Sequence, residues 1–596
     1  MRPRLRFAAA RQAATALLAA AAIAIVLAAW AYFTGGFRVH LFGMPISVRG
    51  AHRAAVVALV LAGLGLYLHV PLQQRLARLV ASLPVPPLLP VVPIAAAAAV
   101  LVVSLAIGTR AAGGADVYGY VSQAELWRKG ELRIHQPIAG TVPWPDADWT
   151  FAPLGYKPAP GHMIVPTYSP GLPMLMAVFT LVFGAAGAYF VVPICGAVLV
   201  WLTGAFATRI ADRVVAAAAA VCVATSPVVL FMTLWSMSDV PVAVFWIASL
   251  LFACRGTGGG AALAGAAAGM AILVRPNLVP LAVIPLVIAM AIAERRARSG
   301  PIAQLLLFSL ACAPGVLFVA WLFQELYGSP LRSGYGDAAS IYAWSNVTPN
   351  LARYPRWLWE SQGAPIFLFV LAPLVAMRMR DRLLRVVLIV FILTVFLAYL
   401  VYMPFEDWWY VRFLIPALPL MFILAMEVVW RGTARFGART RAALTAAAVL
   451  YTVGFGLNES FDRGVFAIGR GEQKYAEVGR HVADALPANA VVYSMQHSGN
   501  VRYYANRLTL RLDYLDPAWL DRSVIHLRNA GYEPYFVLDN WEVPMFRARF
   551  RSQARAAALA AEPAAGPCTH TTFIYRILDP PAVDSGVRVP QIRGCR

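Results

Sequence analysis

"GTRAAGGADVYGYVSQAELWRKGELRIHQPIAGTVPWPDADWTFAPLGYKPAPGHMIVPTYSPG", residues 108–171, decides how the rest of the chain is read. It is a polar, aromatic-rich interval between long apolar runs that contain almost no acid. Asp116, Glu125, Glu131, Asp146 and Asp148 fall within it. Its opening has helical spacing, with Val117, Val121, Ala124 and Trp127 on one face and Tyr118, Ser122, Glu125 and Lys129 on another. That pattern predicts an amphipathic helix lying in the membrane interface. Asp116 stands at its N-terminus, where the helix dipole favours a carboxylate. Taken alone, Asp116 reads as a helix cap.

Of the 596 residues, 60% are hydrophobic and 13% charged, which places the chain in the polytopic membrane class. A formal net charge of +21 is compatible with nucleic-acid binding in principle. The arginines, however, cluster in short loops between apolar runs, so the charge reads as a topology signal and no nucleic-acid partner is expected. Cys195, Cys222, Cys254 and Cys312 lie in or beside apolar runs without metal-ligand spacing and read as small hydrophobes. Cys568 and Cys595 stand alone in the polar C-terminal region, where an oxidising compartment would permit a disulfide. Arg2, Arg4, Arg6 and Arg11 precede an apolar run long enough to span, which predicts a retained first helix.

Spans of roughly twenty apolar residues are predicted near 13–33, 53–70, 89–108, 189–208, 214–231, 240–254, 259–274, 277–293, 302–323, 364–378, 383–403, 412–430 and 441–459. The basic clusters at Arg2–Arg11, Arg75 and Arg78, Arg209 and Arg213, Arg255, Arg295–Arg298, Arg378–Arg385 and Arg431–Arg441 then fall on one side, the cytoplasm. The N-terminus is inside. The loop carrying Asp116, the 324–363 loop and everything after about residue 460 are outside. Counting 171–187 ("GLPMLMAVFTLVFGAAG") as a crossing would move Arg209, Arg213 and Arg255 outside, so it is assigned as a re-entrant or interfacial piece of the first outer loop. About thirteen crossings of an inner (cytoplasmic) membrane remain. No internal repeat is evident.

Beyond residue 462, helical stretches alternate with short β-branched ones: "EQKYAEVGRHVADAL", "AVVYSM", "TLRLDY", "YFVLD" and "TTFIYRI". This predicts a small extracytoplasmic α/β domain, without a Gly-rich phosphate loop. The expected organisation is an extra N-terminal hairpin and linker (1–88), a membrane domain (89–461) with its first outer loop at 109–187, and the accessory domain (462–596).

Ionisable residues at the outer ends of spans carry the functional signal, since in lipid they are costly and tend to line a cavity. Asp239 opens a span in "LWSMSDVPVAVFW"; Arg275 breaks an apolar hairpin in "AGMAILVRPNLVP". Glu406, Asp407, Trp408, Trp409 and Arg412 cluster in "EDWWYVRFLIPALP", and Glu325, Arg332 and Tyr335 in "FQELYGSPLRSGYG". Each has a bland alternative: an aromatic belt for Trp408 and Trp409, snorkelling for Arg275, capping for Asp239. Their convergence on one face predicts an outward cavity with carboxylates for acid–base work and arginines for an anion.

The order of "YSPGLPMLM", "SPVVLFMTLWSMSDVP", "AGAAAGMAILVRP", "YGSPLRSGYG" and "RFLIPALP" after an Asp near the start of the first outer loop resembles the glycosyltransferase C superfamily over residues 90–430. It is most similar to bacterial relatives of protein O-mannosyltransferases and lipid A aminoarabinose transferases. Two departures stand out. Asp116 is followed by Val117 where the family often has a second acid, and Ser169-Pro170-Gly171 replaces its Lys-Pro-Pro, so no lysine role is carried over.

The resemblance implies a mainly α, polytopic helical bundle that transfers a sugar, with inversion, from a polyprenyl-phosphate donor to a glycan, lipid or protein acceptor on the outer face. In that reading Asp116 is the general base, and Arg275 and Arg412 hold the departing lipid phosphate, with Arg332 as their substitute. Asp239 orients an arginine or the acceptor. Tyr168, Trp408 and Trp409 stack on the sugar or line the polyprenyl groove, and Glu406 joins the substrate-binding set. No cofactor is called for, with a divalent cation left open. Two other classes are compatible with the same residues: a transporter or flippase for lipid-linked sugars, which predicts midplane charges and symmetric broken helices, and a non-catalytic assembly subunit of the same fold.

Overall fold

A computed structural model describes residues 12–26, 37–41, 44–48, 58, 61, 65, 88–296, 300–376, 378–557, 572–578, 582–583 and 587–588. Most of the predicted span at 53–70 and the Cys568–Cys595 pairing lie outside the described residues, as does the end of the 13–33 span.

Long apolar runs with no partner for their backbone other than themselves form helices, and these make up most of the chain. Among the described residues, five helical stretches are long and apolar enough to cross a membrane: Gly171–Ile210, Pro276–Arg295, Pro301–Tyr327, Met379–Leu400 and Leu418–Asp462. Two bent pairs, Arg213–Ala224 with Pro227–Leu234 and Trp344–Gln362 with Ala364–Val375, raise the figure to seven. Gln12–Val26, Val92–Ile107, Asp239–Ala253 and Gly258–Val274 are apolar but shorter. Prolines break several of the predicted spans: Pro227 starts a second helix after a bend of 56°, and Pro276 stops the helix ending at Val274.

The Gly171–Ile210 stretch is too long for a single straight crossing at about 1.5 Å per residue. It divides at Gly184 (φ 65°), where a 3-10 turn Gly184–Phe190 separates helices Gly171–Phe183 and Val191–Ile210. Gly187 lies against the backbone of Phe179, so the chain folds back on itself here.

Eleven short strands are described, in three sheets. β1 (Phe37–Leu41) and β2 (Met44–Val48) form a hairpin. In the 109–187 segment, β3 (Ile134–His135), β4 (Tyr156–Ala159) and β5 (Met163–Pro166) form an antiparallel sheet of order β3-β5-β4. Beyond residue 485, β6 (Ala490–Tyr493), β7 (Leu508–Leu510), β8 (Glu533–Asp539), β9 (Thr572–Leu578), β10 (Ala582–Val583) and β11 (Val587–Arg588) form a mixed sheet. Its order is β10-β9-β8-β6-β7, with β11 also on β9. β6 is parallel to both β7 and β8, and β9 is antiparallel to β8. Strand β6 is buried throughout, as its unbroken apolar run "AVVY" requires.

Alternation along the strands builds a core on each face. Ala490, Val492, Tyr535 and Val537 pack under Val478 and Val482 of helix Ile468–Ala485 and under Leu486 just beyond it. Val491, Tyr493, Phe536 and Leu538 pack on the other face with Leu520, Val524 and Leu527. That second core also contains Ala139, Trp144 and Phe151 from the first outer loop. The C-terminal sheet is therefore not an appendage; it shares its interior with the loop that carries Asp116.

This union corrects two expectations. The helix Asp116–Arg128 is not a half-exposed surface helix: Val117, Tyr118, Tyr120, Val121, Gln123, Ala124 and Leu126 are all buried. Its polar face is covered by the C-terminal region, with Tyr118 against Gly499 and edge-on to Tyr503. Nor does Asp116 cap that helix. The N-cap position is Ala115, with no side-chain capping bond, and the Asp116 carboxylate is turned elsewhere.

Candidate active site

Residues from several segments meet at the Asp116–Arg128 helix. The Tyr168 hydroxyl donates to Asp116 Oδ1 at 2.7 Å, and the Arg412 guanidinium approaches Oδ2 at 3.3 and 3.4 Å. Tyr168 is set by a close approach: a side chain at Gly119 would overlap its ring. Burial, with the Asp116 charge second, pushes the Tyr168 phenol well above its ordinary range, so it stays a donor.

A second ion pair lies alongside. Asp239 is 1% exposed, and its Oδ1 accepts from Arg275 Nη2 at 2.6 Å. Arg275 also donates to the Tyr399 hydroxyl at 3.0 Å and approaches Ser238 Oγ at 3.4 Å. Ser238 in turn accepts from the Tyr120 hydroxyl at 3.0 Å, tying this pair back to the first-loop helix. Asp239 opens its helix just after Ser236, a buried non-glycine residue with φ 56°, the uncommon left-handed region.

The two guanidiniums share one aromatic ring. Arg275 lies 5.1 Å and Arg412 5.3 Å from the Phe413 centroid, and Arg412 is also 5.1 Å from Tyr410. Their positions follow from local breaks in the helices. Arg275 closes helix Gly258–Val274 ahead of Pro276, and Arg412 lies in the 3-10 turn Trp408–Leu414 that precedes helix Leu418–Gly432. The two ion pairs keep some unused polarity: Arg412 Nε and Asp239 Oδ2 are buried without a hydrogen-bond partner among the described residues. Such groups are costly unless something binds them.

Of the residues singled out in the sequence, Asp116, Asp239, Arg275, Arg412 and Tyr168 come together. Tyr335 reaches them from the 324–363 loop, its ring 6.0 Å edge-on from Tyr168. The others lie apart. Glu406 is exposed and 3.5 Å from Arg353, and Arg332 is exposed on Asp337. Trp408 and Trp409 pack on Phe231, at 5.5 and 6.2 Å, with Arg463 over Trp408 at 4.5 Å.

Sequence reasoning missed Tyr120, Ser238, Tyr399 and Phe413. Tyr120 was within reach, since it follows Asp116 by one helical turn and so shares its face. Among the described residues there is no group of three or more His, Cys, Asp or Glu placed to hold a metal ion.

The C-terminal region closes the loop over this site. The Tyr504 hydroxyl accepts from the Ala112 N–H at 2.8 Å, and Ser498 Oγ accepts from the Leu154 N–H at 3.1 Å. Arg502 donates to Gln136 Oε1 at 2.8 Å, to Phe151 O at 2.6 Å and to Thr509 Oγ1 at 2.6 Å. Burial lowers its guanidinium to about 10, with no carboxylate to offset the cost. Nearby, Asp539 binds Lys474 at 2.7 Å, His497 at 3.0 Å and Thr572 at 2.6 Å. Burial alone would raise this carboxyl, but His497 and Lys474 hold it well below the usual range.

Residues 166–324 match the family described as dolichyl-phosphate-mannose-protein mannosyltransferase. Among solved structures, the chain is similar to ArnT from Cupriavidus metallidurans bound to undecaprenyl phosphate, at 14% identity and a TM-score of 0.51, covering 78% of this chain and 94% of that one. It is also similar to the oligosaccharyltransferase AglB from Archaeoglobus fulgidus in complex with an inhibitory peptide and a dolichol-phosphate. Identity there is 11% and the TM-score 0.50, covering 84% of this chain and 74% of that one. No curated protein matches. The fold is the glycosyltransferase C fold that the order of motifs implied.

Proposed function

We propose that this chain is a membrane glycosyltransferase that moves a sugar from a polyprenyl-phosphate donor to an acceptor on the outer face of the cytoplasmic membrane. The observation that carries the reading is the double ion pair: two carboxylates and two guanidiniums around Phe413, with buried polar atoms left unmatched. It is supported by the mannosyltransferase family match and by relatives of the same fold that bind undecaprenyl phosphate or dolichol-phosphate.

Asp116 accepts the proton of the acceptor hydroxyl as that oxygen bonds to the anomeric carbon. The bond from that carbon to the lipid phosphate oxygen breaks, with inversion, and the electron pair leaves with the phosphate. Arg412 and Arg275 receive that charge; a guanidinium fork suits a phosphate better than a point charge does. Asp239 holds Arg275 in place, and Tyr168 holds Asp116. In this reading helix Asp116–Arg128 and the C-terminal sheet lie outside and the arginine-rich loops inside, with about thirteen crossings as the basic clusters imply. The experiment that tests the reading is the lipid-linked sugar profile of cells with and without the protein. One lipid-linked sugar should accumulate in its absence, and restoration by an Asp116→Asn variant would sink the mechanism.

A further inference from the structure

Helix Ile468–Ala485 runs along the segment that leads into Asp116. Near its start, Gly469 lies against the backbone of Ile107 and Gly108; further on, the Tyr475 ring lies on Gly113. Glu472 sits between these two contacts, one turn from each. It is 9% exposed. The segment it faces is fixed by the Thr109 N–H to Leu234 O bond of 2.8 Å, which also places Trp235 beside it. The Trp235 indole N–H is buried and favours the Glu472 carboxylate from a position outside ordinary hydrogen-bond geometry.

A carboxyl this deep needs a cation or it keeps its proton. The nearest cation on its own helix, Lys474, is already bound to Asp539 at 2.7 Å. The groups that act on Glu472 are the Trp235 indole from the membrane domain, the charges of Asp116 from the first-loop helix and Lys474 from its own helix, and the Tyr475 phenol one turn on. Beyond Tyr475 stands His497, itself held by Asp539.

We infer that Glu472 is a second carboxyl at the edge of the proposed transfer site, contributed by the C-terminal domain along the segment that leads into Asp116, and that its charge state tunes how strongly the site holds an anion. The glycosyltransferase reading supplies only the identity of the anion. Glu472 is a positioning residue, acting through the charge balance around Asp116 and Arg412. When it ionises, a second negative charge enters a site that must hold a lipid phosphate, and affinity for that phosphate falls. Burial pushes its pKa up to about 7, with Trp235 and Lys474 pulling down and Asp116 pushing up, so the loss falls in the physiological range.

The test is binding of undecaprenyl phosphate to the full chain in nanodiscs, from about pH 6 to about pH 8.5, for wild type and Glu472→Gln. The lipid phosphate titrates in both samples, so the difference between them isolates Glu472. Affinities should coincide at the acid end and separate above about pH 7, with wild type weaker by about three- to tenfold. Trp235→Phe removes the N–H that favours the carboxylate and should move the onset of the wild-type loss to higher pH. This keeps the test open even if Glu472→Gln folds poorly. Parallel curves for wild type and Glu472→Gln, or a Trp235→Phe curve unmoved from wild type, overturn the inference. A pH-dependent gap in a protein that transfers no sugar overturns the transferase reading alone; Asp116-dependent transfer without the gap overturns the role of Glu472 alone.

Discussion

Arg412 grips Asp116 through Oδ2 only, at 3.3 and 3.4 Å, and leaves Oδ1 to the Tyr168 hydroxyl. A side-on, two-oxygen pairing would lock the carboxylate to the arginine. The observed contact is longer, so in the proposed reaction the arginine can turn toward an incoming phosphate while Tyr168 keeps the carboxylate oriented.

Asp116→Asn should therefore abolish transfer without unfolding the protein. Because Asp116 makes no capping bond, loss of activity cannot be ascribed to a frayed helix. Removal of an acid–base group commonly costs about 10²–10⁴ in turnover. Sugar transfer by the purified variant, measured beside its melting temperature, checks this; turnover within a few-fold of wild type would turn attention to Asp239.

Arg275→Lys and Arg412→Lys keep the charge but lose the fork and the flat stacking on Phe413. Each should raise the donor KM by about tenfold or more, on the scale of one lost charge-assisted hydrogen bond. Arg332→Lys, on an exposed pair with Asp337, should leave donor use near wild type. Donor titrations of the three variants decide the matter, and normal kinetics in both buried variants would move the phosphate site.

Much of this arrangement was legible in the sequence, and the illegible part has a physical reason. Asp239 and Arg275 were visible because a charge at the end of an apolar run is costly and therefore conspicuous. The alternating helices and strands after residue 462 were visible as changes of period. Tertiary covering was not. Tyr118 and Glu125 read as a wet face, although Tyr118 is buried under Gly499. Glu472 sits on a helix whose polar residues gave no reason to expect burial, because nothing local encodes contact with Gly108–Gly113, some 360 residues earlier. Glu406 and Arg332 failed to join the site for the opposite reason: polar loop residues need no cavity.

Topology follows from the basic loops and is open to labelling. Single cysteines replacing the exposed Glu131 and Asp484 should react with an impermeant thiol reagent in intact cells, and one replacing exposed Arg439 should not. Cys195, Cys222, Cys254 and Cys312 are buried and give little background; Cys568 and Cys595 are replaced by serine first. Reaction at Arg439→Cys with protection at Glu131→Cys would invert the orientation.

The shared interior predicts that loop and C-terminal domain melt together. Phe151 is fully buried and Trp144 is 3% exposed, in a core that they and Ala139 share with residues after 490. Phe151→Ala should cost about 3–5 kcal/mol, the usual range for a large-to-small change in a packed core. Proteolysis of the purified variant should then open both the 131–160 segment and the C-terminal domain in one step. Cleavage confined to the loop, with the C-terminal sheet protected, would show the two to be independent.

Glu472 makes stability fall as pH rises, and the sign can be worked through. Its folded pKa is raised by burial from 4.5 to about 7, so between those values the folded chain holds a proton that the unfolded chain has released. Unfolding then releases protons, and stability declines with pH across that window and levels off above it. The raised value is worth about 3 kcal/mol once pH exceeds 7, at about 1.4 kcal/mol per pKa unit. Glu472→Gln carries no charge to desolvate and should lose this dependence. In the same detergent, melting temperatures of wild type and variant should be closest near about pH 5, with the variant gaining on wild type up to about pH 7.5. Other groups titrate in both proteins and cancel in the comparison. A gap that is constant with pH, or that closes as pH rises, would place Glu472 in contact with water and away from Asp116.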